Sequence, residues 1–281
     1  MKRFTAGILV LLFMVISVGS RIDADAATGT TTYTSASKVY SVIKNNLVDH
    51  KAQFTIKMNQ KTMNQIGRNT DLYDAVVALD DKSTSKDADY LKLSINRIQW
   101  QWTYNPLGTT ATLKLTVAYK ATLAQEQKVD AKIKSVLKSL KLENKSDYKK
   151  VKAIHDYIIN RVSYDQTFMK YSAYNALINK SSVCEGYAAA AYRMFLDSGI
   201  ESRIIIGFAD GGAHAWNIVK VNGKWYNIDL TWDDPIMSNG KQALRYDYFL
   251  KNDADFGNHI RDIKYRTQEF YKKYPIAAKS Y

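Results

Sequence analysis

The sequence predicts an α+β protein in which an N-terminal α+β accessory region precedes a second domain that carries the only cysteine. Two observations predict antiparallel hairpins: alternating stretches flank Asn105-Pro106-Leu107-Gly108, and strand-like runs flank Asn222-Gly223. Between them, apolar residues recur at helical spacing through residues 147–162. We therefore expect helices and hairpins in two regions, 27–145 and 146–281, that meet near Glu143–Ser146.

Residues 1–26 predict a secretory signal peptide. Lys2-Arg3 precedes an apolar run over residues 6–18, and Ala24-Asp25-Ala26 offers the small residues that a signal peptidase needs. The apolar run is too short to span a bilayer comfortably. We therefore expect a secreted protein, extracellular or associated with the cell wall, without a stable membrane anchor after cleavage.

The composition is that of an ordinary globular protein with a basic surface. Apolar residues make up 46% of the chain and charged residues 24%, which is compatible with a well-buried core. The net charge is +13, and it falls to +12 when the first 26 residues, with three basic and two acidic side chains, are removed. An anionic cell-wall polymer or a membrane surface would suit this charge, whereas no basic motif indicates nucleic acid. The alternative is a solvated, lysine-rich surface without a specific partner.

The accessory region is predicted to alternate between helices and strands. The predicted helices are 36–49, 71–79 and 125–142, and the predicted strands are 53–58, 90–104 and 109–119. No residue pattern in this region indicates catalytic chemistry.

Cys184 is the first residue that points to chemistry. A single cysteine cannot form a disulfide within its chain, so it is a buried apolar residue, an intermolecular bridge or a reactive thiol. Ser182-Val183-Cys184-Glu185 matches a capping box and predicts a helix through Leu196, with Gly199 just beyond its end. The unpaired N–H groups and positive dipole at a helix N-terminus stabilise a thiolate and could hold an oxyanion. The alternative is a buried structural cysteine.

The hairpin around Asn222-Gly223 places a histidine and a carboxylate together. A two-residue type I′ turn pairs Val221 with Lys224, and continuing that register puts His214 and Asp229 on one face as diagonal neighbours, roughly 7–8 Å apart at the backbone. A β-bulge would break this prediction, because a slip of one residue moves a side chain to the other face. A carboxylate there could accept from one imidazole nitrogen and leave the other for the thiol.

Other polar residues carry weaker signals. A zinc site using Cys184, His214 and Asp229 would lack neighbours with metal-ligand spacing, so we expect no metal and no cofactor. His155 is expected to be structural, since it borders the apolar stripe of its helix. His50 and His259 are expected at the surface, and Asp233-Asp234-Pro235 is expected to form a turn.

Three motifs in order resemble the transglutaminase-like superfamily, and most closely its bacterial secreted branch. They are Val183-Cys184-Glu185-Gly186-Tyr187-Ala188, His214-Ala215-Trp216-Asn217 and Trp225-Tyr226-Asn227-Ile228-Asp229-Leu230-Thr231-Trp232-Asp233-Asp234. The resemblance spans about residues 147–250 and does not cover the first half. It implies a papain-like core, in which a helix that carries the cysteine packs on an antiparallel sheet.

The resemblance also implies roles for individual residues. Cys184 would be the nucleophile, His214 the general base and acid, and Asp229 the residue that orients the imidazole. Tyr174 would be a candidate for assisting the oxyanion hole, and Trp216 for lining the substrate groove. The implied activity is acyl transfer from glutamine carboxamides through a thioester, in cross-linking or deamidation of a protein or peptide. The alternatives are a peptidase or amidase of the same fold and a non-catalytic module that binds the cell wall.

Overall fold

The computed structural model describes residues 31–67, 72–77, 84–86, 88–235 and 243–281, so the predicted signal peptide lies outside the described residues. These residues form two compact units. One unit comprises the described part of the chain up to Thr122, apart from the segment Ser83–Ser85. The other begins at Leu123, runs to Tyr281 and includes that segment. Among the described residues, no helix is both long and apolar enough to cross a membrane.

The N-terminal unit is a four-stranded sheet with helices. Its elements are β1 (Thr32–Tyr33), α1 (Ala36–Val48), β2 (Gln53–Asn59), α2 (Gln60–Gly67), α3 (Leu72–Val77), α4 (Ala88–Ser94), β3 (Ile95–Tyr104) and β4 (Thr110–Tyr119). The strand order is β1-β2-β4-β3, and β3 and β4 form the predicted antiparallel hairpin. Val39, Ile43 and Leu47 lie one helical turn apart on α1 and are buried in the core with Leu113 and Leu115.

One prediction in this unit is wrong. The stretch from residue 90 to 94 was assigned to a strand, but it lies in α4, and β3 begins only at Ile95. Tyr90 and Leu91 are adjacent and both buried, which an amphipathic strand facing water on one side would not allow. The predicted helix over residues 71–79 can be compared only at residues 72–77, which are helical.

The C-terminal unit packs helices on a second antiparallel sheet. Its elements are α5 (Leu123–Leu140), α6 (Asp147–Ile159), β5 (Ser163–Tyr164), α7 (Ala173–Leu177), β6 (Ser181–Ser182), α8 (Cys184–Asp197), β7 (Ser202–Ala209), β8 (Gly212–Val221), β9 (Lys224–Ile228), β10 (His259–Arg261) and α9 (Gln268–Lys273). The strand order is β10-β7-β8-β9. Helix α8 packs against β7 and β8, and α6 and α7 pack against α8.

Helix α5 belongs to the C-terminal unit rather than to the region before it. Its acidic side chains explain this placement, because Glu126 and Asp130 both bind Arg193 of α8, at 3.3 and 2.6 Å. Arg193 is only 2% exposed, so its charge has to be paired inside the unit. The units therefore divide before α5, whereas the sequence placed the boundary near Glu143–Ser146.

The β8–β9 hairpin has the predicted turn and register. Asn222 and Gly223 both have positive φ, 49° and 79°, as a type I′ turn requires. Val221 pairs with Lys224, and the register continues to Asn217 opposite Ile228. The ladder ends there, so Asp229 follows the strand instead of belonging to it.

Gly207 lets the short strand β10 approach β7 closely. A Cβ at position 207 would lie 2.1 Å from the carbonyl oxygen of Ile260, a backbone atom that cannot rotate away. We expect Gly207→Ala to lower the free energy of unfolding by about 1–3 kcal/mol, as overpacking does in protein cores, in a denaturant titration. Gly212→Ala is the matched control on the same hairpin, since its nearest atom would be at an ordinary 3.7 Å. Equal losses in both variants would contradict this account of Gly207.

Candidate active site

Cys184 is the first residue of α8, and the residue before it is the N-cap. Val183 has extended backbone angles and makes no side-chain cap, so the predicted capping box of Ser182 and Glu185 is wrong. Ser182 lies in β6 instead, and its hydroxyl donates to the carbonyl oxygen of Lys170 at 2.7 Å. The backbone N–H of Val183 donates to the same oxygen at 2.8 Å. The helix start is therefore held by the segment before it, and Cys184 still occupies the first turn, where N–H groups lack helical partners.

The structure brings Cys184, His214 and Asp229 together. The Cys184 side chain lies beside His214, on β8, close enough to raise the pKa of that histidine. On its other side, Nε2 of His214 lies 2.7 Å from Oδ2 of Asp229. Since Nε2 faces the carboxylate, Nδ1 is left for the sulfur, so the imidazole bridges the thiol and the acid. Cys184 and His214 are each 8% exposed and Asp229 is fully buried, so bulk water screens these interactions little.

The charges of His214 and Asp229 stabilise each other. Burial alone would lower the pKa of His214, but the charge and hydrogen bond of Asp229, with the Cys184 side chain, raise that pKa to about 10. Burial would raise the pKa of Asp229, but attraction and hydrogen bonding from His214, and hydrogen bonding from His259, hold that pKa well below its usual range. At neutral pH His214 is therefore an imidazolium beside a carboxylate.

Backbone groups fix the carboxylate of Asp229. Its Oδ1 accepts from the N–H groups of Thr231 and Trp232, at 2.8 and 3.3 Å, which leaves Oδ2 for the imidazole. The N–H of Asp229 itself donates to the carbonyl oxygen of Tyr248 at 3.1 Å. The chain thus turns around its own side chain immediately after β9, and this turn aims Oδ2 at His214.

Two further buried carboxylates anchor the same turn. Asp233 accepts from Nε2 of His155 at 3.0 Å and from the N–H of Tyr248 at 2.8 Å. Asp234 accepts from the hydroxyl of Tyr187, on α8, at 2.6 Å. The predicted turn at Asp233-Asp234-Pro235 is therefore also a buried link to α6 and α8. His155, which is fully buried, has the structural place that the sequence predicted.

The aromatic residues near the sulfur differ from those that the resemblance suggested. Tyr164 and Tyr171 lie near enough for Cys184 to act on them: burial, with the charge of Cys184 next, raises the pKa of Tyr164 to about 12. For Tyr171, burial, Glu185 and Cys184 raise the pKa. Tyr174 lies on α7, and an oxyanion role for it stays a prediction.

Trp216 is buried beside the His214 imidazole, and its place in a substrate groove stays a prediction. It is 1% exposed, because both faces of β8 are covered, and its ring packs at 6.2 Å from His214 and 5.0 Å from His259. The partly exposed Trp232 lies 5.6 Å from the His214 ring on the turn after Asp229. Trp232 belongs to the third motif. Its place beside the imidazole depends on the geometry of the turn after β9, which local sequence patterns do not predict.

His259 also contacts the triad, although the sequence indicates a surface position for it. Its side chain is 1% exposed rather than at the surface, and its Nε2 lies 3.0 Å from Oδ2 of Asp229, the same oxygen that His214 contacts. His259 follows a short 3₁₀ helix, Ala254–Phe256, and occupies a three-residue strand, which leaves no periodic pattern to reveal its burial. His50 was also expected at the surface, but it is partly buried and stacks on Tyr119 at 4.3 Å.

The only described group with a metal-like ligand set is His214, Asp229 and His259, whose nearest ligand-type atoms lie within 4.8 Å of one another. Imidazole and carboxylate are ligands that zinc accepts. The separations of 2.7 and 3.0 Å are, however, those of hydrogen bonds, which already account for the facing atoms. We therefore interpret this group as a hydrogen-bonded charge cluster.

Comparison with known proteins finds a family match within the C-terminal unit. Residues 134–230 match the family model of the transglutaminase-like superfamily. Kyphoscoliosis peptidase of Mus musculus is 24% identical over 196 residues, which cover 55% of this chain and 30% of that protein. The Homo sapiens protein of the same name is 25% identical over 177 residues, 48% of this chain and 27% of that one. The chain thus matches less than a third of the length of these relatives.

Two solved structures match part of this chain. One, described as a TGase, has a TM-score of 0.36 at 20% identity and covers 47% of this chain and 44% of its own. The other, a candidate cysteine protease from Cytophaga hutchinsonii, has a TM-score of 0.34 at 17% identity and covers 60% and 74%. The family match confirms the predicted resemblance to the transglutaminase-like superfamily and the α+β fold class with a transglutaminase-like core, which is in general a fold of cysteine-based enzymes.

Proposed function

We propose that this protein is a secreted cysteine-dependent acyl transferase that acts on glutamine carboxamides of a protein or peptide. The observation that carries the proposal is that His214 lies beside the Cys184 side chain and forms a hydrogen bond of 2.7 Å with Asp229. In this proposal Cys184 is the nucleophile, His214 the general base and acid, and Asp229 the orienting carboxylate.

The first half-reaction forms a thioester. The Cys184 thiolate attacks the carboxamide carbon, and the carbonyl π electrons move to oxygen to give an oxyanion. The backbone N–H of Cys184, at the start of α8, is available to hold that oxyanion. As the tetrahedral intermediate collapses, the carbon–nitrogen bond breaks, and the His214 imidazolium gives its proton to the leaving ammonia.

The second half-reaction releases the acyl group. An amine such as a lysine side chain attacks the thioester carbon while neutral His214 takes its proton. The carbon–sulfur bond then breaks, so that the product is an isopeptide and the Cys184 thiolate and His214 imidazolium are restored. Water attacking in place of the amine gives deamidation with the same proton transfers.

Exposed apolar side chains near the nucleophile support a protein or peptide substrate. Phe168 and Met169 are 54% and 76% exposed, although large apolar side chains normally avoid water. Asp165 organises their loop by accepting from the N–H groups of Met169 and Lys170, at 2.9 and 3.1 Å. The loop joins the start of α8 through the carbonyl of Lys170, so a polypeptide bound there would lie close to the sulfur.

An amine-incorporation assay tests the proposed activity. Incubation of the mature protein with a glutamine donor peptide and a fluorescent amine is expected to join the two, with release of one ammonia per linkage. Ammonia release without incorporation would indicate deamidation. His50→Gln, in the N-terminal unit, is the matched histidine control and should retain full activity. If neither product forms over a panel of donor peptides, the transferase proposal fails.

A peptidase or amidase is the second candidate, because the curated relatives carry the name peptidase. The same triad would attack a backbone amide, and His214 would protonate the leaving amine of the new N-terminus. Cleavage of an unlabelled peptide, followed by mass spectrometry in the presence of a large excess of amine, separates the two reactions. New peptide termini without amine incorporation would favour the peptidase.

The proposed location is outside the cell, and the proposed partner besides the substrate is an anionic cell-wall polymer. The predicted signal peptide and the net charge of +13 support both. N-terminal sequencing of the protein recovered from culture medium or cell walls should find a start at residue 27 or 28. A protein that binds the wall equally well with Cys184 replaced, and has no activity in any assay, would instead be the non-catalytic module.

A further inference from the structure

Both ring nitrogens of His259 face hydrogen-bond acceptors. Nδ1 lies 2.9 Å from the backbone carbonyl oxygen of Phe256. Nε2 lies 3.0 Å from Oδ2 of Asp229. A carbonyl oxygen and an ionised carboxylate can only accept, so each contact requires a proton on the histidine nitrogen.

A neutral imidazole carries one N–H and can satisfy only one of these contacts. Its other nitrogen would then direct a lone pair at an oxygen in a site that is 1% exposed, where repulsion is poorly screened. We propose that His259 is a positioning residue that acts as a doubly protonated imidazolium and holds the same oxygen of the Asp229 carboxylate that His214 contacts. The inference deepens the proposed triad and rests on it.

The rings around His259 suit a cation. Its ring centroid lies 4.0 Å from that of Phe256 and 4.5 Å from that of Trp232, and Tyr248 follows at 5.6 Å. Aromatic faces at such distances attract cations through the quadrupole of the ring. They also cover the imidazole, whose side chain is 1% exposed.

Several charged groups surround the imidazole. Asp229 is in direct contact, and His214 lies 5.5 Å away between ring centroids. On the remaining side, His259 lines a cavity of about 250 Å³ together with Arg261, Arg266 and Asp253. Arg261 opposes a second cation, but Asp253 compensates it with a contact of 2.9 Å. Phe256 and Tyr248 contribute only the carbonyl and rings already described.

The imidazolium would give the proposed site an even charge balance. A Cys184 thiolate and the Asp229 carboxylate are two negative charges, and His214 alone supplies one positive charge. His259 supplies the second, on the oxygen that His214 also uses. Asp229 is then pinned by two backbone N–H groups on Oδ1 and by two imidazoliums on Oδ2, which fixes the orientation of the catalytic ring.

Nitrogen-15 NMR of the histidines tests the protonation state directly and needs no substrate. With four histidines in the chain, His259→Gln assigns the resonance and His50→Gln serves as the matched control. At pH 7.5 we expect both ring nitrogens of His259 to resonate as protonated nitrogens. A spectrum with one protonated and one bare nitrogen would overturn the proposal, whether or not the enzyme is active.

The glutamine variant also tests the positioning role. Its side-chain amide can donate to Asp229 but carries no charge, so a merely structural role would survive it. Removing one positive charge from the group around Asp229 should move the pH of half-maximal iodoacetamide labelling of Cys184 upward. His259→Gln with an unshifted profile would overturn the positioning role, whereas absence of turnover in the wild type would count only against the proposed function.

Discussion

Cys184→Ala is expected to lower the rate of amine incorporation and of amide hydrolysis alike by about 10⁴- to 10⁶-fold, because both reactions begin with attack by the same sulfur. No second thiol can substitute for it, since the chain has one cysteine. Ammonia release and product formation, measured with saturating donor peptide, give the rate of the variant against the wild type.

The variant also separates chemistry from stability. The alanine variant should remain folded, because His214 keeps its hydrogen bond to Asp229, and a denaturant titration checks this. Cys184→Ser, which restores the size of the side chain with a weaker nucleophile, should remain as inactive as the alanine variant. Activity within tenfold of the wild type in either variant would exclude the thioester route.

Asp229→Asn is expected to lower the rate by about 10⁴-fold while leaving Cys184 in place. The asparagine oxygen can keep the bonds from Thr231 and Trp232, but its NH₂ group then faces Nε2 of His214. Nε2 would have to accept, which moves the ring proton to the nitrogen beside the sulfur and prevents His214 from acting as a base. The rate measured at several pH values against wild type checks this effect, and a loss below tenfold would contradict it.

The same substitution has a signature in the pH dependence of stability. Burial lowers the pKa of His214, but Asp229 and Cys184 raise it to about 10. The stabilisation from the charged His214 is therefore fully present below the ordinary pKa near 6.5. It is lost as the pH rises through about 10. Wild-type stability should therefore decline between about pH 7 and 10, and Asp229→Asn should remove most of that decline. Denaturant titrations at pH 6.5 and 9.5 measure the difference, and parallel declines in both proteins would contradict the coupling.

Local signals predicted the hairpin well. Asn222-Gly223 determines the turn type, and the turn determines the register as far as Asn217 opposite Ile228. Asp229 follows the ladder, and the turn after β9 brings its carboxylate to His214. Helix α8 was also predicted, although its N-cap is Val183 and not Ser182. Ser182 satisfies its hydroxyl with the carbonyl of Lys170, a long-range partner that a capping pattern cannot reveal.

Local sequence patterns could not predict contacts between distant segments of the chain. His259 reaches Asp229 only because β10 pairs with β7 through the gap that Gly207 leaves. The burial of Trp216 also depends on tertiary packing that covers both faces of its strand. The division of the chain before α5 likewise depends on Arg193, whose buried charge attracts Glu126 and Asp130 from that helix.

The rate of Cys184 alkylation by iodoacetamide, measured from pH 5 to 9 in the folded protein and in His214→Ala, tests the pairing of sulfur and imidazole most directly. The imidazolium of His214 should keep the wild-type sulfur reactive at pH 6, and the alanine variant should lose most of its labelling there while reacting at pH 9. Identical profiles in the two proteins, both rising only near pH 8.5 as for an isolated thiol, would contradict the account.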